Sequence, residues 1–286
     1  MQQWTVKSLL DWTTTYLKEY SIDNPRHEAE YFISELLQTN RTGVYLNFER
    51  PVTETELALF KTWLLRRKQH EPIQYILGKA YFMGLVFSVG PGCFIPRFAT
   101  ETLVELITAH IRSRNGMPTT MLEIGGGSGA IAVSCAYYNP SLFITCVERE
   151  TVPVSYITKN TEANSVADRI TIIHEDYRAI EDLSPFDIIV SNPPYIAEQD
   201  RGMLLPEVAE HEPEEALFAG NDGLDFYRTF AQERAEMIRD NVYIYFEIGY
   251  NQAHAVREIF ASYGFMTEIH KDLEGHDRVA VIRRNT

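Results

Sequence analysis

Glu123-Ile124-Gly125-Gly126-Gly127-Ser128-Gly129 stands between two apolar runs, Thr120 to Ile124 and Ala130 to Tyr138. The first is short and has the length of a buried strand. The second has the length and composition of a buried helix. Glycines between them let the backbone turn sharply and leave no Cβ in the way of a ligand. Outward from this turn the same alternation repeats. Strands are expected at Phe143 to Glu148, Ile170 to His174, Asp187 to Ser191, Val242 to Ile248, Phe265 to His270 and Arg278 to Ile282. Helices are expected at Thr100 to Ile111, Val152 to Asn164, Phe226 to Ile238 and Ala253 to Tyr263. Strands that alternate with helices predict an α/β fold, with a mostly parallel sheet covered on both faces. No internal repeat or low-complexity segment interrupts the pattern.

Upstream the character differs. Residues 1–70 read as a small bundle of three amphipathic helices. Val6, Leu9, Leu10, Trp12 and Leu17 fall at helical spacing. Asn24-Pro25 with Glu28 opens a second helix, Asn24 serving as the cap. Thr53 with Glu56 opens a third through a capping box. Glu71-Pro72 ends the bundle. Residues 71–95, aromatic and β-branched with Gly78 and Gly84, read as a β-hairpin linker, and residues 96–286 as the main domain.

The glycine turn alone fits a dinucleotide site, a methyl-donor site or a plain tight turn. No Gly-Lys-Ser/Thr follows, so it is not a phosphate-binding P-loop. Glu123 precedes the glycines by two. A carboxylate there opposes a pyrophosphate and suits S-adenosylmethionine, which carries a sulfonium and an ammonium and no phosphate. Glu148 ends the next strand, where a carboxylate can accept both ribose hydroxyls; otherwise it is a solvated loop residue beside Arg149. Asp176 and Tyr177, after the third strand, could bond the adenine amino group and stack on its ring.

Ser191-Asn192-Pro193-Pro194-Tyr195 follows the apolar strand Ile188-Ile189-Val190. Two prolines cannot continue a central strand, so they fix a stiff loop at its C-terminal end, where open α/β sheets bind ligands. The residue types suit a planar nitrogen. The Asn192 side-chain oxygen and the Pro193 carbonyl can accept its two N–H hydrogens, and Tyr195 offers a flat face. Catalysis would then rest on positioning, and no strong base is needed before methyl transfer.

Composition limits the partners. The chain has 286 residues, 45% of them hydrophobic and 23% charged, which is enough for a sizeable core without staples. Its net charge of -14 argues against holding nucleic acid chiefly through phosphates. A local basic cluster remains at Arg66, Arg67, Lys68 and His70. Three cysteines with no close pairing, Cys93, Cys135 and Cys146, argue against a disulfide framework and against a Cys-based zinc site. No secretion signal is visible over Met1 to Leu10, and no stretch is apolar enough to span a membrane. A cytoplasmic monomer is expected.

With Asn192 to Tyr195 and Gly125 to Gly129 on the page, the chain resembles the amino-methyltransferase branch of the class I methyltransferases. Further stretches narrow this: Pro72 to Gly78; Phe94-Ile95-Pro96-Arg97 with Thr100-Glu101; Glu212-Pro213; Gly220 to Leu224; and Glu247-Ile248-Gly249 with Gln252. Together they resemble the release factor glutamine N5-methyltransferases, the PrmC/HemK family, over nearly the whole chain. The resemblance implies a Rossmann-like fold with a seven-stranded sheet, and methyl transfer from S-adenosylmethionine, leaving S-adenosylhomocysteine. The acceptor it implies is the glutamine of the Gly-Gly-Gln loop in class-1 peptide chain release factors. It places the cofactor on Gly125, Gly126, Gly127, Ser128, Gly129, Glu148 and Tyr177, with Asn192 touching cofactor and substrate. The substrate loop falls on Asn192, Pro193, Pro194 and Tyr195. A ribosomal-protein glutamine or an exocyclic amine of nucleic acid, the latter needing a flipped or unpaired base, are the alternatives. Three positions depart from the family: Phe98-Ala99 replaces its Pro-acid pair, Glu148 its aspartate, and Gly126 its threonine. Neither Phe98 nor Thr100 is assigned a role.

Overall fold

The computed structural model describes residues 4–285 and divides them into two compact units, one ending at Leu77 and the other beginning at Gly78. The N-terminal unit holds five helices: α1 (Val6–Glu19), α2 (Pro25–Leu36), α3 (Arg41–Leu46), α4 (Glu54–Arg67) and α5 (Ile73–Leu77). Three helices were expected. The two extra ones are six and five residues long, too short to show a periodicity. Capping boxes open α1 at Thr5 and Ser8 and α4 at Thr53 and Glu56. The cap expected at Asn24 is absent. That residue takes a left-handed conformation, its side chain makes no capping bond, and Pro25 alone marks the start. Leu10, Phe32, Ile33 and Phe60 are fully or almost fully buried, and Phe32 packs against Phe60 and Trp63. Ile73 and Ile76 of α5 join the same core. The two arginines of the basic cluster are paired within this unit. Arg67, 2% exposed, pairs with Glu28 at 2.7 Å, and Arg66 pairs with Glu71 at 2.5 Å.

The second unit begins with a hairpin of β1 (Lys79–Phe82) and β2 (Leu85–Ser88). Met83 and Gly84 both take positive φ, the requirement of the two-residue turn that matches strand twist. The Glu101 carboxylate accepts the Met83 N–H at 2.5 Å and holds that turn. Then follow α6 (Glu101–Ser113), β3 (Thr119–Ile124), α7 (Ala130–Tyr138), β4 (Leu142–Glu148), α8 (Thr151–Ala163), β5 (Ile170–His174) and β6 (Ile188–Ser191). The chain closes with α9 (Pro206–Ala209), α10 (Asp225–Arg234), β7 (Tyr243–Glu247), α11 (Ala253–Ala261), β8 (Phe265–Lys271) and β9 (Asp277–Arg284). The helix expected to reach Ile238 stops at Arg234 and tightens into a 3-10 turn.

Seven strands form one sheet in the order β5-β4-β3-β6-β7-β9-β8, parallel except for β9, which runs antiparallel to both neighbours. This is the mostly parallel seven-stranded sheet expected. Leu122 and Ile124 face one side, with Tyr227, Phe230, Val256 and Phe260 of α10 and α11 packed over them and over Ile189, Ile244 and Phe246. Glu123 points to the opposite side, where it meets α7. The order reverses between β3 and β6, because β3 leads on to β4 on one side while β6 leads on to β7 on the other. Ligands bind at such a switch point, beyond the C-terminal ends of the strands. Among the described residues no helix is long and apolar enough to cross a membrane.

Candidate active site

A cavity of about 870 Å³ opens at the switch point. The glycine turn leaving β3 and the tetrapeptide leaving β6 both line it, although they lie far apart in sequence. Parallel pairing of β3 with β6 brings them together, and the Ser191 hydroxyl locks the junction by donating to the Ile124 carbonyl at 2.8 Å.

The turn is tightly specified. Gly127 takes φ +57, where an L side chain is strained. At Gly126 the obstacle is packing: a Cβ would lie 2.4 Å from Cys146 Sγ and 2.7 Å from Ile157 Cδ1. The departure from threonine at this position therefore follows from what β4 and α8 place beneath it. Ser128 is buried, and its carbonyl accepts from Asn160 Nδ2 at 2.8 Å. Gly129 caps the first turn of α7. Asn160, with no exposed surface, also exchanges two hydrogen bonds with the Ser88 backbone and so ties the hairpin to the turn.

The acids differ in their surroundings. Glu123 is 1% exposed and accepts the Ala132 N–H at 3.0 Å. It thereby caps α7 from within the sheet. Burial pushes its carboxyl up to about 8, against the opposing pull of bonds from Cys146 and Ala132. Glu148, at the end of β4, accepts the Gly127 N–H and the Glu150 N–H, both at 2.9 Å. Its side chain is thus fixed at the mouth of the glycine turn. Asp176 forms a two-point ion pair with Arg178 at 2.7 and 2.9 Å, which holds its carboxyl down to about 2. The neighbouring Tyr177 ring packs on Phe226 and Phe230 and borders the cavity.

Charge along the lining is one-sided. Eight acidic side chains, of which Glu123 is held toward its neutral form by burial, face three guanidiniums, and the guanidiniums of Arg97, Arg149 and Arg178 are each paired, with Glu212, Glu150 and Asp176. That field favours a cation and opposes a polyphosphate.

At the tetrapeptide, Pro193 is buried while Asn192, Pro194 and Tyr195 are partly exposed to the cavity. Asn192 Nδ2 donates to Thr100 Oγ1 at 3.2 Å. The Tyr195 hydroxyl donates to Glu247 Oε1 at 3.0 Å, and the Tyr195 carbonyl accepts from Gln252 Nε2 at 2.9 Å. Thr100, Glu247 and Gln252 are all buried. Their roles escape a reading by strand and helix, because they come from three separate segments. Only the recurrence of Thr100-Glu101, Glu247-Ile248-Gly249 and Gln252 in the resemblance pointed to them. Arg97, beside the cavity, pairs with the buried Glu212, whose other oxygen accepts the Ile95 N–H at 3.3 Å.

Both units of the chain are similar to known proteins. Residues 8–78 match the PrmC N-terminal domain, and residues 97–215 match the methyltransferase small domain. A release factor glutamine methyltransferase of Geobacter sulfurreducens is 38% identical over 278 residues, covering 96% of this chain and 95% of that one. A bifunctional methyltransferase of Rickettsia typhi is 33% identical over 98% of this chain, which spans 57% of that longer protein. Among solved structures, the hMettl16 catalytic domain in complex with MAT2A 3'UTR hairpin 6 shares the fold. It has a TM-score of 0.57 at 15% identity, with 82% of this chain and 84% of that one covered.

Proposed function

The chain belongs to the release factor glutamine methyltransferase family, and from that premise we propose that it methylates the side-chain amide of the glutamine in the Gly-Gly-Gln loop of class-1 release factors. One observation supports this above the others. The Asn192 amide is held by Thr100 through its nitrogen, which leaves its oxygen as the end available to the cavity. An acceptor fixed on a proline-stiffened loop is what a planar N–H donor requires.

The methyl donor is S-adenosylmethionine, which supplies an electrophilic methyl on a positively charged sulfur. The lining suits it: acidic, with paired guanidiniums and a glycine turn that keeps side chains out of the way. In this reading Glu148 takes the ribose hydroxyls, and Tyr177 lies against the adenine. Glu123, Gly125 to Gly129 and Asp176 complete the cofactor side. Glu123 stands mostly protonated at neutral pH in the protein alone, so a cation held nearby would draw that proton off.

On the substrate side, Asn192 Oδ1 and the Pro193 carbonyl accept the two amide hydrogens of the glutamine. Pro194 and Tyr195 enclose the planar group and exclude water from it. These acceptors strengthen as positive charge builds on the nitrogen, so they act on the transition state more than on the bound substrate. The proton leaves the nitrogen afterwards, and no strong base is required. The N-terminal unit is proposed to grip the protein substrate.

Purified chain, labelled methyl donor and three acceptors tested side by side check this reading: a class-1 release factor, ribosomal proteins and nucleic acid. Label on the Gly-Gly-Gln glutamine is expected. Label on a ribosomal protein or on a base, with none on the release factor, overturns it.

A further inference from the structure

Tyr195 is held at two ends by one short segment. Its hydroxyl donates to Glu247 Oε1 at 3.0 Å, and its carbonyl accepts from Gln252 Nε2 at 2.9 Å. Glu247 is the last residue of β7, and Gln252 stands just before α11. The first bond anchors the ring. The second anchors the backbone of the tetrapeptide, which is pinned upstream where the Ser191 hydroxyl donates to the Ile124 carbonyl. Between these pins the two prolines leave the chain little freedom.

Gln252 is 7% exposed, and both ends of its side-chain amide are engaged. Oε1 accepts the Gly249 N–H at 2.8 Å, and Nε2 donates to the carbonyls of Tyr195 at 2.9 Å and Gly223 at 3.1 Å. All three partners are backbone groups, whose donor and acceptor roles are fixed, so the amide stands only one way round. The place therefore asks for one acceptor and two donors on a single side chain. It also asks for glycine at 223, which takes φ +75. A Cβ there would lie 2.2 Å from the Tyr195 carbonyl oxygen and 2.8 Å from Gln252 Nε2. Gln252, Gly223 and Gly249 stand behind the cavity lining, whereas Ile196, Gly220 and Asp225, on the segments they join, belong to it.

We infer that Gln252 is a positioning residue for methyl transfer, which sets the Tyr195 backbone and, through the two prolines, the acceptors at Asn192 and Pro193. The inference rests on the amide-clamp reading above. It adds the mount on which the clamp stands: one buried amide that ties the tetrapeptide to the loop before α10 and to the turn after β7. Methionine at 252 keeps the length and bulk but has no hydrogen to donate. Glutamate keeps the acceptor for Gly249 and, when ionised, sets an oxygen against two carbonyls.

The test compares the full chain with Q252M, Q252E and G223A. At saturating cofactor and acceptor, kcat should fall at least about tenfold in Q252M and further in Q252E. Cofactor affinity by calorimetry should change less than about twofold, as for a lost positioning group. A side chain that served folding alone would lower the melting temperature and leave kcat of the folded protein near the wild-type value. That result overturns the inference, as does a loss shared equally between kcat and cofactor affinity. A second readout needs no acceptor: the two side-chain amide hydrogens of Gln252, assigned in a proton–nitrogen spectrum through bonds to its own carbons. Both should exchange with solvent at least about tenfold more slowly than those of an exposed glutamine. Exchange as fast as at an exposed glutamine overturns the inference too. If neither Gln252 variant folds, G223A decides: it leaves Gln252 in place and crowds the Tyr195 carbonyl, so kcat should fall, cofactor affinity should hold and the Gln252 hydrogens should exchange faster. Absence of label on the release factor from the wild-type chain would remove the proposed function. The kcat comparison then moves to the acceptor that takes label, and the exchange rates judge the mount without any acceptor.

Discussion

At the scale of single residues, two side chains divide the work. Asn192 is held by its nitrogen, so replacing it with alanine removes the acceptor and leaves Thr100 without its donor. Aspartate keeps an acceptor but cannot donate to Thr100, and it adds a charge in a lining that is already acidic. Both variants are expected to lower kcat by about 100-fold or more, the usual size for losing a positioning or electrostatic group in the transition state. Single-turnover rates at saturating cofactor separate this from binding, and near wild-type transfer by N192A would end the amide-clamp mechanism. Glu148 belongs to the other half of the cavity. Its carboxylate already braces Gly127 and Glu150, so E148A loses both the brace and the proposed ribose contact. Cofactor binding should weaken by roughly 1–3 kcal/mol, as for a charge-assisted hydrogen bond. Calorimetry showing unchanged affinity would exclude Glu148 from the site.

At the scale of elements, the joint between β3 and α7 carries a charge problem that the fold solves with a proton. Glu123 caps α7 from inside the sheet, and burial raises its carboxyl to about 8. In the unfolded chain the same carboxyl loses its proton near the ordinary value. Between those two values the folded state binds more protons, so stability is full at low pH and falls as pH rises toward 8. The loss between pH 5.5 and 8 should be on the order of 3 kcal/mol. E123Q cannot ionise, so its melting temperature should depend less on pH and exceed that of the wild type at alkaline pH. Parallel melting profiles for the two proteins would show that Glu123 stays ionised when folded. The same joint shows what sequence could and could not disclose. The turn was legible because glycines between a strand-like and a helix-like run have few other uses. The strands were legible as well, since β4, β5 and β6 are short, apolar and bounded by punctuation. Gly126 looked like a mere departure, because its reason is a sulfur on β4 and a methyl on α8. Thr100, Glu247 and Gln252 carry no legible role in the sequence, since hydrogen bonds between distant segments leave no periodic trace. In the N-terminal unit, α5 was read as part of the linker for the same reason that short helices elude periodicity.

At the scale of the molecule, the two units have separate cores, and the cavity is lined wholly by residues from Gly92 onward. Residues 8–78 match a named domain of the family. The N-terminal unit is proposed to hold a protein substrate at a second place, so that its loop can reach the cavity. The position of the cut matters to the test. Ending a deletion at His70 would leave Ile73 and Ile76 stripped of the core they pack into and would strand Glu71 without Arg66. Exposed apolar surface of that kind invites aggregation, which would be mistaken for loss of function. Starting the fragment at Gly78 avoids this, because the hairpin of β1 and β2 is tied to α8 and the glycine turn through Asn160. That fragment is expected to bind cofactor with an affinity within about threefold of the full chain, since its binding groups are all retained. Methylation of an intact release factor should fall by at least about 100-fold in kcat/KM, the effect of losing a second point of attachment. Methylation of a short peptide carrying the Gly-Gly-Gln sequence should fall far less, because such a peptide has no second site to be held by. Equal rates for fragment and full chain on the intact factor would mean that the loop finds the cavity unaided, and would withdraw substrate recognition from the N-terminal unit.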